Sequence, residues 1–161
     1  MIPGLATRRR FSDLSEQDIL ALAISSEEDD ARIYRSYAER LRKDYPGSAA
    51  LFDAMAVEED THRRWLIERH QARFGEVIPL IRREHVAGFY ARKPVWLMEN
   101  LSLERMRAEA EAMEHEAAAF YLRAAGQTQD AATRKLLGDL AAAESGHEKK
   151  AGALSDHHLD E

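Results

Sequence analysis

At 161 residues, with 45% apolar and 32% charged side chains, the chain is long enough for one domain with a sizeable core. A net charge of −6 gives no electrostatic attraction for nucleic acid. The absence of cysteine excludes disulfides, zinc fingers and iron–sulfur clusters, leaving oxygen and nitrogen ligands for any metal.

Gly and Pro are scarce and strand-favouring residues thin, which predicts an all-α fold of long helices. The start carries Arg8, Arg9 and Arg10 with no apolar stretch behind them, so no secretory signal is expected. No run approaches the ~20 apolar residues that span a bilayer. A first helix is predicted from about Ser15, where Ser15-x-x-Asp18 resembles a capping box, to about Lys43, with Tyr45-Pro46-Gly47 as the break. The second runs from Ser48 to Phe74, where Gly75 and Pro79 stop it. Residues 75–100 form a long connection in which Val77, Ile78, Leu80, Ile81, Phe89, Tyr90, Val95, Trp96 and Leu97 need burial. It is either a crossover joining two helical hairpins or an arm exchanged with a second subunit. A third helix is expected from Ser102 to Ala125, closed by Gly126, and a fourth from Asp130 to Leu154. The expected domain is 1–154, with a polar tail over 155–161.

The chain repeats itself. Glu27 to Tyr34 (EEDDARIY) lies over Glu114 to Tyr121 (EHEAAAFY), and Leu51 to His62 (LFDAMAVEEDTH) over Leu136 to His147 (LLGDLAAAESGH). Each half is therefore a hairpin whose first helix offers one glutamate and whose second offers Glu-x-x-His. Steps of three and four place these residues on the core-facing stripes. The stripes are Leu20, Ile24, Glu27, Ala31, Tyr34, Ala38 and Leu41; Phe52, Met55, Glu59, His62 and Leu66; Glu114, Ala118, Tyr121 and Ala125; and Leu137, Leu140, Glu144, His147, Ala151 and Leu154.

Buried carboxylates at one level cost several kcal/mol each unless partnered, and close like charges cannot all ionise alone. Two divalent cations balance Glu27, Glu59, Glu114 and Glu144, with His62 and His147 each capping one ion. A plain bundle with buried salt bridges is disfavoured, because the stripes carry no Lys or Arg at that level. A slip of one position would put Glu28 and Glu58 in place of Glu27 and Glu59; the spacing to His62 favours Glu59.

Tyr34 and Tyr121, two turns beyond a ligand glutamate, are core tyrosines that could bond ligands of the opposite hairpin or donate single electrons. Glu28, Asp29 and Asp30 read as a solvated flank, His70 and His85 as surface residues, and His115 and Glu116 as pointing away from the site. His157 and His158 fall in the tail. Trp65 and Trp96 read as packing residues, suited to a homodimer interface.

These residues resemble the ferritin-like superfamily, in its rubrerythrin/erythrin branch. The four helices match over about residues 15–154. The connection FGEVIPLIRREHVAGFYARKPVWL is similar to that of bacterial membrane-bound ferritins, in which an erythrin-type domain precedes a vacuolar-iron-transporter-type membrane domain.

The resemblance implies a four-helix bundle of two hairpins with two iron ions (manganese or zinc as substitutes) held by Glu27, Glu59, His62, Glu114, Glu144 and His147. It implies oxidation of Fe(II) by oxygen or hydrogen peroxide, and a role in iron detoxification or export at the cytoplasmic face of the bacterial inner membrane. The tail would then lead to a membrane domain. Two departures stand out. No cysteine-rich rubredoxin module is present, which disfavours a stand-alone peroxide-scavenging protein. Ala117 also occupies the place of the extra rubrerythrin glutamate, with Glu111, one turn earlier, as the candidate substitute. The other alternative is a metal-sensing regulatory or dimerisation module without turnover.

Overall fold

The computed structural model describes residues 8–87 and 101–156, with side chains described as far as residue 146. It contains α1 (Glu16–Leu41), α2 (Pro46–Phe74), α3 (Leu103–Gln127) and α4 (Ala131–Asp156), with short 3-10 turns at Phe11–Asp13 and Arg83–His85. α1 packs chiefly on α2, and α3 on α4. The expected two-hairpin bundle is the fold.

The capping box forms as the sequence suggests. The Ser15 hydroxyl accepts from the Asp18 N–H, and the Asp18 carboxylate accepts from the Ser15 N–H. Arg9 also donates to Asp18 at 2.6 Å. Other boundaries differ from expectation. Pro46 and Gly47 open α2 rather than break the chain before it, since proline at the first helical position gives up only an N–H that would lack a helical partner. Gly75 closes α2 at φ 90°, a left-handed backbone that favours glycine, and its N–H bonds to Gln71 O. Gly126 lies inside α3, not beyond it. That helix ends where the Thr128 hydroxyl caps Ala124 O at 2.8 Å. α4 runs to Asp156, past the predicted end at Leu154.

Asp130 ties the hairpins together. Its carboxylate caps α4 by accepting from the Thr133 N–H, and it also accepts from Arg69 of α2 at 2.9 Å. The segment before α1 is stitched to the connection after α2: Arg9 N–H donates to His85 O, and Ala87 N–H to Arg9 O.

In that connection Ile81 is buried and Ile78 half-buried. Val77 and Leu80, expected inside, are 84% and 70% exposed. Both precede the turn at Arg83, where the chain is drawn onto α1. Phe89, Tyr90, Val95, Trp96 and Leu97 lie outside the described residues, as does the tail from residue 157.

Among the described residues, most buried apolar side chains fall into two clusters. One takes in Ile19 to Ile24 of α1, Leu66, Phe120, Tyr121, Leu137 and Leu140. The other takes in Ile33 to Leu41 of α1, Phe52, Met55, Ala56, Met106 and Met113. On α1, Glu27 stands in the gap between them, and on α2, Glu59 and His62 do.

Candidate metal centre

Glu27, Glu59, His62 and Glu144 are all buried, and one ligand atom from each lies within 4.8 Å of the others. His62 Nδ1 is 3.2 Å from Glu144 Oε1 and 3.8 Å from Glu27 Oε2. Two helices of one hairpin thus meet a helix of the other. Glu114 of α3 is buried as well, and its charge helps to raise the pKa of Glu59. The His147 backbone lies in α4, but its side chain falls outside the described ones. Glu111 is exposed, away from this buried level. Glu28 and Glu58, the slipped alternatives, are half-buried, and Glu28 accepts from Arg32 at 2.8 Å.

The two tyrosines cross between hairpins. Tyr34 of α1 donates to Glu114 Oε1 of α3, and Tyr121 of α3 donates to Glu27 Oε1 of α1. Both are fully enclosed. Burial, then the neighbouring carboxylates, pushes both phenol pKa values well up, so the hydroxyls remain donors.

Burial disfavours charge on the carboxyls of this cluster. Burial raises the Glu27 carboxyl to about 8, and the Glu144 charge adds to the rise, while bonds with Glu59 and Tyr121 oppose it. Burial, with Glu27 next, pushes Glu59 well up too. Glu27 Oε2 is buried with no hydrogen-bond partner. An acceptor-rich pocket of mixed oxygen and nitrogen donors fits divalent metal ions.

Several residues differ from their predicted places. Asp30, read as solvated, is buried, and Arg83 from the connection reaches it at 3.0 Å while donating to Ser26 O at 3.2 Å. Burial opposes the charge on Arg83, but Asp30, with Asp29 and Glu27, outweighs it and the net shift is upward. A cation therefore does approach the acid level, from outside the helical stripes. Arg82 similarly faces Asp29, at 3.8 Å. The matched runs Asp29-Asp30 and Arg82-Arg83 were the available sequence signal. His70 is buried, not superficial: its Nδ1 lies 3.0 Å from Gly75 O and its Nε2 3.4 Å from the Gln17 side-chain nitrogen. Trp65 is half-open, its ring against that of His62. His85, His115 and Glu116 are exposed as expected.

These features define a class: a bundle of two helical hairpins with a buried carboxylate–histidine cluster able to hold metal. The rubrerythrin family model matches residues 18–155, and the chain belongs to that family. No curated protein sequence matches it. Among solved structures, a hypothetical protein from Pyrococcus furiosus is similar at TM-score 0.71 and 22% identity, covering 91% of this chain and 94% of that one. A protein from Thermotoga maritima, named as a candidate ferritin-like diiron-carboxylate protein, is similar at TM-score 0.69 and 19% identity, covering 94% of this chain and 99% of that one. The fold is the ferritin-like four-helix bundle.

Proposed function

We propose that the chain binds two Fe(II) ions between its hairpins and oxidises them with oxygen or hydrogen peroxide. The observation that carries this reading is the convergence of Glu27, Glu59, His62 and Glu144 on one buried point. Glu114 and His147 complete the proposed set, on the strength of the repeat. Membership of the rubrerythrin family favours iron over manganese or zinc.

Fe(II) is the substrate and supplies one electron per ion. The chain's own residues do the rest. Burial favours the protonated forms of Glu27 and Glu59, so loading cations there would release protons. Tyr34 and Tyr121 donate to Glu114 and Glu27, fixing one oxygen of each carboxylate. The apolar clusters on either side limit the entry of water.

The wider role we assign is iron detoxification or export at the cytoplasmic face of a membrane, beside a transporter-type domain. Its support is the resemblance of residues 74–97 to membrane-bound ferritins. No helix among the described residues is long and apolar enough to cross a membrane. A homodimer belongs to the same proposal: Val77 and Leu80 offer open apolar surface for a second copy.

The test is an anaerobic Fe(II) titration followed by admission of oxygen. Two irons per chain, with oxygen consumed, would support the reading. Two irons without oxidation would favour a metal-sensing role, and one or none would overturn the site. Glu59→Ala and Glu144→Ala should each abolish two-metal binding.

A further inference from the structure

We propose that Trp65 is the port through which single electrons pass between solvent and the metal centre. This rests on the reading of the centre given above. Trp65 stands one turn beyond His62 on α2, with ring centroids 5.7 Å apart and planes tilted by 35°. His62 is 4% exposed and Trp65 44%, so the pair bridges the buried cluster and the surface.

Among the described residues, the tyrosines at the centre are unsuited to this task. Tyr34 and Tyr121 are enclosed, and each hydroxyl is held by a carboxylate. Losing an electron from either would push a proton onto a group expected to bind metal. An open indole can release its N–H proton to water and meet a diffusible reductant directly.

The port matters when hydrogen peroxide reaches a chain holding a single Fe(II). Reduction of peroxide to two waters takes two electrons and two protons, and the iron yields only one electron. Trp65 gives the second electron together with its N–H proton, and solvent gives the other proton. The products are two waters, Fe(III) and a neutral indolyl radical. A small one-electron reductant of the ascorbate or phenol class returns an electron and a proton to the exposed ring. Without the second donor, the same encounter releases a hydroxyl radical.

The experiment uses the full chain loaded anaerobically with one Fe(II), mixed with one equivalent of hydrogen peroxide and freeze-quenched for paramagnetic resonance. A parallel sample carries a spin trap for hydroxyl radical. The unaltered chain should show an indolyl radical and little trapped hydroxyl. Trp65→Phe should lose that signal and release trapped hydroxyl, with its iron stoichiometry unchanged. Trp65→Tyr should suppress hydroxyl release again and show a tyrosyl signal instead. Trp96→Phe should retain the indolyl signal. An indolyl signal that survives Trp65→Phe, or hydroxyl release equal in all variants, would overturn the port while leaving the metal reading intact. Failure of the unaltered chain to bind Fe(II) would overturn both.

Discussion

The Tyr34 hydroxyl donates to the Glu114 carboxylate, 80 residues further along the chain, and so ties α1 to α3 at the level of the acids. Tyr121 answers with the reciprocal bond to Glu27, making the contact two-fold in character. A buried carboxylate that loses its donor keeps its desolvation cost. Tyr34→Phe and Tyr121→Phe are therefore each expected to destabilise metal-free protein by about 1–3 kcal/mol and to weaken binding of Fe(II). Denaturant unfolding and anaerobic titration of both variants check this. Unchanged midpoints and affinities would mean that the hydroxyls do not support the ligands.

Stability should also depend on pH in a direction set by Glu27. Burial holds its carboxyl at about 8, against an ordinary 4.5. Between those values the folded state binds more protons than the unfolded chain, so stability falls as pH rises. The contribution is complete below the ordinary value and is lost as pH passes through about 8. Asp18 and Asp130 are shifted downward and act in the opposite sense, but only at acid pH. The Tm of metal-free protein is expected to decline from mildly acid to mildly alkaline pH, and saturating divalent metal should remove the decline. A metal-free Tm that rises over this window would contradict it.

Arg83 and Asp30 form a buried pair beside Glu27. Arg83→Met removes the guanidinium from an enclosed carboxylate and should cost about 3–5 kcal/mol. Adding Asp30→Leu should recover much of that loss, because the buried charge is then gone as well. Calorimetry of the single and double variants decides it, and equal destabilisation by both would show that the pair is not what matters there.

Asp130 caps α4 and receives Arg69 from α2. Asp130→Ala should lower the unfolding midpoint, with Asp130→Asn keeping part of the cap. Unfolding curves measure both. An Asn variant as weak as the Ala one would assign the effect to the ion pair with Arg69 rather than to capping.

What could be read from the sequence follows from periodicity and repetition. Glu27, Glu59, Glu114 and Glu144 each replace an apolar residue on a regular stripe, so their burial was legible one helix at a time. Burial of Tyr34 and Tyr121 was legible in the same way, while their crossed bonds to Glu114 and Glu27 were one of several readings open to them. The Arg83–Asp30 pair was not legible, because it joins a helix to an irregular connection and the repeat places Ala117 where Asp30 stands in the first half. His70 was missed for a similar reason. It is enclosed by the end of its own helix at Gly75 and by Gln17, contacts set by chain reversal rather than by helical period. Val77 and Leu80 were misplaced because apolar character alone does not say which side of a connection meets the core.

Among the described residues, the acid level lies between two apolar clusters. Apolar contact across that level is interrupted by the buried polar groups Glu27, Glu59, His62 and Glu144, so without metal the two ends of the bundle can open with some independence. Bound cations attract residues from both hairpins and join the ends into one cooperative unit. Amide hydrogen exchange should therefore show two distinct opening energies in metal-free protein, converging on one when metal is added. The iron load of the chain would then be written into its mechanical continuity, where a partner could sense it.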